Sequence, residues 1–288
     1  MTSGDDRTPR DDVLDLVTRA VDGDEDALAE VLARVQDPVY RLALRMTGRV
    51  ADAEDATQEI LIRVMTRLSM FRGEASLVTW AYRIAVNHLL NLRRRPAETL
   101  TFASYRQDLL DGLRAPDYTG PDSALLAEEI RLLCTQALLQ CLDGAGRAAY
   151  VVGEILGLTG EEAAWVLAIS PAAYRKRLER ARRQVRQALR GRCGLLDASA
   201  PCRCDKRITY AIGKGRIPSS GPVLATHPTG AKRDARTVTA AAALGRLRDV
   251  GELLRAHPDY AAPQARAKAV LALLHSTHYK NLLPDQPP

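Results

Sequence analysis

The sequence predicts an all-α protein, and three observations support that prediction. Apolar residues recur at intervals of three and four along most of the chain, as they do on one face of a helix. Helix-favouring alanine, leucine and arginine are abundant, whereas aromatic residues make up only 5% of the 288 residues. Segments rich in proline and glycine separate the periodic stretches. We therefore expect two helical domains joined by a flexible linker, followed by a mostly helical C-terminal extension.

Breaks in the periodicity give the expected boundaries of these parts. Residues 1–12 are polar and acidic and are expected to be a disordered tail. The first helical domain covers residues 13–95, and the second covers residues 123–192. Residues 96–122 have three prolines and little periodicity, which is typical of a linker. Residues 193–288 form the extension, which has a cysteine cluster, an irregular segment over residues 205–236, and two predicted helices, from Thr237 to Ala256 and from near Pro263 to about His275.

Charge is unevenly distributed along the chain. Lysine and arginine outnumber aspartate and glutamate by only 41 to 35 overall. Residues 1–30 nevertheless carry ten acidic and three basic residues, whereas residues 171–192 carry nine basic and one acidic residue. This asymmetry indicates an acidic tail and a basic segment that faces nucleic acid.

The composition also bears on the compartment. The first residues have neither the basic region nor the apolar region of a signal peptide. No window approaches the roughly 18 apolar residues of a membrane span. Five cysteines is an odd number, and without a secretion signal a disulfide framework is not expected. We expect a cytoplasmic protein with no membrane association.

The first domain contains an acidic helix followed by a basic one. Residues 52–70 predict an amphipathic helix whose polar face carries Asp55, Gln58 and Glu59. After a glycine turn, a second helix carries Trp80 and ends in three arginines. Exposed rings beside arginines suit single-stranded nucleic acid, because bases stack on the rings while guanidinium groups meet phosphates. From these residues alone, the polar face is interpreted as a solvated helix face, and core packing of the aromatic rings is an open alternative.

The second domain contains a helix-turn-helix pattern. Thr159 and Glu162 form a capping box for a short helix, and Ser170 before Pro171 opens a longer one. The second helix of such a pair enters the major groove of DNA. Its expected DNA-contacting residues are Ala173, Arg175, Lys176, Arg177 and Arg180, with Arg182, Arg183 and Arg186 within reach of phosphates.

Three motifs of the first domain together resemble a known family. D-A-E-D-A-T-Q-E from Asp52, F-R-G-E-A-S from Phe71 and T-W-A-Y-R-I-A-V-N from Thr79 resemble the second conserved region of bacterial sigma factors, most closely the extracytoplasmic-function (ECF) type. The resemblance implies that Asp55, Gln58 and Glu59 bind core RNA polymerase. It also implies that the turn and the following helix capture the melted non-template strand of the minus-ten promoter element. The implied contacts are Arg72, Gly73, Glu74, Ser76, Trp80, Arg83, Asn87, Arg93 and Arg94.

The helix-turn-helix is similar to the fourth region of the same family, which reads the minus-thirty-five element. It departs from the family pattern at Ala168, where a glycine is usual, and at residues 171–173, where the opening is usually small and polar. The resemblance implies a sigma factor that directs promoter recognition and DNA melting without catalytic residues or a required cofactor. The implied partners are core RNA polymerase and promoter DNA, both duplex and melted. Control by an anti-sigma factor or by the extension itself is left open.

A free-standing helix-turn-helix regulator, metal- or redox-responsive through its C-terminal cysteines, is the alternative interpretation. Such a regulator has no need of an acidic polymerase-binding helix beside a strand-binding helix. An enzyme is not favoured, because the sequence lacks a P-loop, an H-E-x-x-H motif and a nucleophile elbow.

The cysteines divide into two groups. Cys134 and Cys141 lie seven residues apart on an apolar helix face and are predicted to be core thiols. Cys193, Cys202 and Cys204 are candidate metal ligands, for zinc or another metal. Zinc sites usually have four ligands, so plain reduced thiols are the alternative for this cluster.

Overall fold

The computed structural model describes residues 8–92, 100–229 and 250–263, together with residue 272. Short 3₁₀ turns at Leu68–Met70 and Asp205–Arg207 and a π-helical turn at Val151–Ile155 accompany the α-helices. The all-α prediction is confirmed for these described ranges. Their helices are α1 (Pro9–Val21), α2 (Glu25–Thr47), α3 (Val50–Thr66), α4 (Leu77–Asn91), α5 (Phe102–Gly112), α6 (Ser123–Gln140), α7 (Gly144–Tyr150), α8 (Gly160–Val166), α9 (Pro171–Leu189), α10 (Ile208–Gly213) and α11 (Val250–Arg255).

Helix α1 begins inside the segment predicted to be disordered, so that prediction was wrong for residues 9–12. Thr8 accepts a hydrogen bond from the Asp11 amide at 3.3 Å, and the Asp11 carboxylate accepts one from the Thr8 amide at 3.0 Å. This reciprocal capping box, followed by proline at the first helical position, fixes the helix start. The acidic residues that suggested disorder instead lie in the first turn of α1, where their negative charges interact favourably with the helix dipole.

Helices α1 to α4 form a bundle around α2. Val31, Val35 and Val39 of α2 are fully buried, which is the face that the sequence periodicity predicts. Asp24 caps the start of α2 by accepting from the Ala27 amide at 3.0 Å. Gly48 ends the helix with φ +85°, a left-handed conformation that glycine adopts without strain.

The linker prediction was wrong for residues 102–112, which form α5. Thr101 caps this helix together with Ser104, and Tyr105 and Leu109 are buried against the rest of the protein. Tyr105 Oη lies 3.0 Å from Cys134 Sγ of α6. The prediction failed because the prolines at both ends of the segment indicated a loop, whereas the short periodic stretch between them forms a helix that packing on α6 stabilises.

Helices α6 to α9 form the second domain, in which Arg147 of α7 forms hydrogen bonds to the end of α6. The Arg147 side chain is 2% exposed. Its guanidinium donates to the carbonyls of Leu139 at 2.9 Å and Leu142 at 2.7 Å, which lie at and just beyond the end of α6. Carbonyls at a helix end have no partner within the helix, so Arg147 satisfies groups whose burial would otherwise be costly.

The two domains pack on each other at the C-terminal end of α2. Arg147 also donates to the Met46 carbonyl at 2.6 Å. Gln136 Nε2 donates to the Leu44 carbonyl at 2.5 Å, and Gln140 Nε2 donates to the Arg45 carbonyl at 3.1 Å. The last carbonyls of α2 are therefore capped by side chains of the second domain. One continuous hydrophobic core runs through both domains.

The extension is partly described. Helix α10 and the 3₁₀ turn before it lie in a segment that we expected to be irregular. The helix predicted to end near Ala256 is present as α11 from Val250 onward, and its earlier residues lie outside the described ranges. The last predicted helix also lies outside them, apart from Ala272.

Candidate nucleic-acid and protein interfaces

The acidic face of α3 is exposed. Asp55 and Glu59 are exposed and Gln58 is half-buried, while Ala56 and Ile60 on the opposite face are buried. The Glu59 carboxylate lies 3.5 Å from His88 Nε2. Asp55 and Glu59 line a cleft of about 1090 Å³, whose other walls include residues of α5, α6 and α7. The face that the sequence assigns to a protein partner is thus turned towards the second domain.

The turn before α4 is held in a fixed conformation. Gly73 has φ +68°, a left-handed conformation that favours glycine, and a Cβ atom there would lie 3.0 Å from the Leu14 side chain, which would have to shift slightly. Ser76 caps α4 by accepting from the Thr79 amide at 3.0 Å. Arg72, Glu74 and Ser76 are exposed on this turn.

Helix α4 divides its polar and aromatic residues between surface and core. Arg83 and Asn87 are exposed one turn apart. Trp80 is half-buried, with its ring edge against Phe71 at a centroid distance of 5.5 Å. Tyr82 is buried, which is the core packing that the sequence left open for this ring. Arg93 and Arg94 lie outside the described residues.

Helices α8 and α9 form the helix-turn-helix, with the caps that the sequence predicts. Thr159 and Glu162 form the capping box of α8, and Ser170 caps α9 by accepting from the Ala173 amide at 3.2 Å. Tyr174, Leu178 and Val185 are buried. The second helix of the pair is therefore fixed against the domain by its inward face.

The outward face of α9 is strongly basic. Ala173, Arg175, Lys176 and Arg180 are exposed, and Arg177 is half-buried. Arg180 makes a long ion pair of 3.7 Å with Asp143. Arg182 donates through Nε to Glu154 at 2.8 Å, so this side chain has a partner within the domain. Arg183 and Arg186 are exposed near the end of the helix.

Ala168 in the turn of this motif is strained. Its φ is +52°, a left-handed conformation that a side chain with a Cβ atom disfavours. We expect Ala168→Gly to increase the free energy of unfolding by about 0.5–1 kcal/mol, measured by urea denaturation. The matched control is Ala163→Gly within α8, which should lower it by about 1 kcal/mol. Equal losses in both variants would contradict the assignment of strain to Ala168.

Comparison with known proteins decides the family. Residues 31–99 match the family model "Sigma-70 region 2". The chain is 30% identical over 178 residues to the RNA polymerase sigma-H factor of Pseudomonas aeruginosa, covering 60% of this chain and 92% of that protein. It is 30% identical over 174 residues to the ECF RNA polymerase sigma-E factor of Escherichia coli K12, covering 59% of this chain and 90% of that protein. The chain belongs to the ECF sigma factors.

A solved structure of CnrH in complex with the cytosolic domain of CnrY is also similar, with 24% sequence identity and a TM-score of 0.43 over 60% of this chain and 94% of that one. Membership of the sigma family means that this protein functions in transcription initiation, and the free-standing regulator is not favoured. None of the helices in the described part is both long and apolar enough to cross a membrane.

In this sigma factor, region 2 and the helix-turn-helix domain touch through Arg83, a residue that we expected to bind DNA. The Arg83 guanidinium lies over the ring of Trp165 of α8, 4.5 Å from the ring centroid. A cation–π contact of this kind contributes about 0.5–1 kcal/mol at an exposed site. Trp165 was not among the predicted site residues.

The extension bridges the two domains through His257. Arg45 Nη1 of α2 lies 2.6 Å from His257 Nδ1, and Thr135 Oγ1 of α6 lies 2.5 Å from His257 Nε2. Since arginine can only donate, Nδ1 accepts and Nε2 carries the proton that Thr135 accepts. His257 is thus neutral and joins α2 to α6.

Other residues of the extension contact the same two helices, α2 and α6. The Glu129 carboxylate of α6 is fully buried and accepts from the backbone amides of residues 223–225 at 2.6–3.1 Å. The Tyr40 ring of α2 stacks on His227 at 5.4 Å. Asp37 of α2 accepts from the Ala262 amide at 3.0 Å. Sequence reasoning missed these residues, because each partner lies far away along the chain.

Acidification is expected to loosen this bridge. Burial, with Arg45 and Arg131 nearby, lowers the pKa of His257 well below 6.5. As the pH falls below about 6.5, the unfolded chain takes up a proton that the folded chain does not, so the free energy of unfolding falls by up to about 1.4 kcal/mol at pH 5.5. Above that range the contribution is constant.

This pH dependence can be measured by urea denaturation at pH 5.5 and 7.5. Burial also lowers the pKa of His227, which contributes in the same direction. The comparison is therefore between wild type and His257→Gln, whose stability should fall less between the two pH values. Equal losses in both proteins would refute the contribution of His257.

The C-terminal cysteines are free thiols close to one another. Cys193 and Cys202 pair through an isolated parallel β-bridge. Burial raises the pKa of the Cys202 thiol to about 12. In the described ranges, no three His, Cys, Asp or Glu side chains are placed to hold a metal ion as they stand.

Proposed function

We propose that this sigma factor binds core RNA polymerase through Asp55, Gln58 and Glu59 of α3. The exposure of the two carboxylates on a helix whose other face is buried supports this assignment. A rigid helix presents such charges in a fixed array, which favours specific docking over nonspecific attraction. Polymerase carries out the chemistry of initiation, so the sigma factor itself needs no catalytic residue, and it acts in the cytoplasm, where the polymerase and promoter DNA are.

The melted strand of the minus-ten element is proposed to bind the turn before α4 and the exposed face of that helix. Arg72 and Arg83 supply cationic groups for phosphates, and Asn87 supplies an amide for a base edge. Trp80 is half-buried, so one part of its ring anchors the turn while the other part is available for stacking. Gly73, Glu74 and Ser76 fix or line the turn, and Arg93 and Arg94 extend the basic surface.

The duplex minus-thirty-five element is proposed to bind α9. Arg175 and Lys176 are exposed at the N-terminal part of this helix, which is the part that reaches base edges in a helix-turn-helix. Arg177 and Arg180 flank them, and Ala173 allows close approach. Arg183 and Arg186 lie further along α9 and suit phosphate contacts, whose affinity falls with salt.

The closed arrangement of the two domains is proposed to inhibit these activities, with the extension as an intramolecular regulator. Arg83 is engaged by Trp165, and the acidic face of α3 lines the cleft between the domains. The extension stabilises the arrangement through Glu129 and His257. Polymerase binding would require the domains to separate, as in a two-state equilibrium biased by the extension.

This proposal rests on one combination of features: an acidic helix and an aromatic, basic helix lie in one bundle, and a helix-turn-helix follows downstream. The test is run-off transcription with core RNA polymerase and a library of promoter sequences. We expect the protein to co-purify with core enzyme and to give start sites that core enzyme alone does not. The test includes both the full chain and an Arg45→Met variant that is designed to open the cleft. If neither protein gives new start sites and neither associates with core enzyme, the proposal is refuted.

A further inference from the structure

Four of the five cysteines surround one small cavity. Cys134, Cys193, Cys202 and Cys204 all line a cavity of about 20 Å³, whose remaining lining is largely apolar. Cys134 comes from α6 of the helix-turn-helix domain, and the other three come from the start of the extension. A space of this size accommodates a single ion or water molecule.

The backbone of the extension holds three of these thiols in place. The Gly194 amide donates to the Cys202 carbonyl at 2.9 Å, and the Cys202 amide donates to the Arg192 carbonyl at 3.2 Å. This pairing sets Cys193 beside Cys202, and Cys204 follows two residues later. Cys134 supplies the fourth thiol, which the three-cysteine motif lacks for the tetrahedral coordination of zinc.

Two arginines at the cavity carry unused donors. Arg131 and Arg207 both line it, and each is only 4% exposed. Arg131 Nη1 and Arg207 Nε are buried without a hydrogen-bond partner. Arg207 Nη1 lies 3.9 Å from Cys134 Sγ. Buried N–H groups of arginine are costly when unpaired, and metal-bound thiolates are anionic acceptors for such donors.

We propose that Cys134, Cys193, Cys202 and Cys204 form a four-thiolate site for a divalent zinc ion. Binding replaces four S–H bonds with four S–Zn bonds and releases four protons, with no change of oxidation state. The sulfur atoms do not yet converge on one point, so side-chain rotations must bring them together around the cavity. Cys134 Sγ, now 3.0 Å from Tyr105 Oη, would turn towards the other three.

The site has a structural consequence. It would cross-link α6 to residues 193–204 and so fasten the start of the extension to the helix-turn-helix domain. A structural zinc site contributes folding free energy directly, because the ligands are not preassembled in the unfolded chain. This inference does not depend on the proposed polymerase and promoter contacts.

The test uses the full chain purified under anaerobic, reducing conditions. Elemental analysis should find about one zinc ion per chain, and titration of metal-stripped protein with Zn²⁺ should release protons. Substitution with Co²⁺ should give the intense visible absorption of a tetrahedral thiolate site. Cys134→Ser should lose most of the bound zinc, and so should Cys204→Ser.

Cys141→Ser is the matched control. Cys141 is a half-buried free thiol just after α6, whose pKa burial raises to about 12, but it does not line the cavity. It should retain zinc like wild type. Far-UV circular dichroism of each variant distinguishes loss of a ligand from loss of the fold. Stoichiometric zinc in folded Cys134→Ser and Cys204→Ser, or a wild-type protein that neither contains nor takes up zinc, would overturn the proposal.

Discussion

Replacing Arg45 by methionine should increase the affinity of this sigma factor for core RNA polymerase by about tenfold or more. The Arg45 guanidinium is buried and reaches Gln136 of α6 and both the ring of His257 and the carbonyl of Leu254 in the extension. A hydrogen bond with a charged donor contributes about 1.5–3 kcal/mol, and the neutral partners of Arg45 would be left buried without that donor. Because these contacts join α2 to other parts of the chain, their loss should weaken the closed arrangement more than the region 2 bundle.

The measurement is core-enzyme binding by fluorescence anisotropy, combined with small-angle scattering of the free protein. The radius of gyration should increase when the domains separate. Arg34→Met is the matched control, since Arg34 lies exposed on the same helix and forms an ion pair with Glu30, one turn away, at 2.5 Å. An expanded Arg45→Met protein with unchanged affinity would show that the closed arrangement does not limit polymerase binding.

Reversing the charge of Asp55 and Glu59 to arginine should weaken binding to core RNA polymerase by about 30-fold or more. Both carboxylates belong to the proposed docking face of α3, and like charges at an interface are strongly unfavourable. The cost in stability should be small, because the Glu59 side chain is 59% exposed and its pair with His88 is therefore screened by solvent.

This comparison is sharpest in the Arg45→Met background, where an open cleft makes the face accessible. Glu30→Arg, an exposed acidic position on α2, is the control for a nonspecific change of net charge. Thermal denaturation of the variants checks that the bundle is intact. Unchanged affinity in the double charge-reversal variant, with the opened cleft, would exclude this face as the polymerase contact.

Local patterns predicted the individual elements well. The caps at Thr159 and Ser170 form as expected, because a cap involves residues within a single turn. The inward and outward faces of α3 and α9 also follow from periodicity. Local prediction failed at residues 9–12 and 102–112. There the acidic charge or the flanking prolines suggested disorder or a loop, although a short capping box starts a helix in each segment.

Contacts between distant residues could not be predicted in this way. His257 meets Arg45 across 212 residues of sequence, and the Gln136 contact with Arg45 spans 91. Cys134 looked like an ordinary core thiol until it was placed beside Cys193, Cys202 and Cys204. No periodicity or spacing rule links such partners, since their proximity depends on how whole helices pack.

The sequence by itself therefore determined most of the helices outside α5 and α10, the family, and the outward faces of α3, α4 and α9. Those properties depend on side-chain periodicity and local capping, which neighbouring residues specify. Only the tertiary structure decided that the two DNA-binding domains pack together, that the extension bridges them, and that a fourth cysteine completes the cluster. These depend on burial and hydrogen bonding between segments that have no common local pattern.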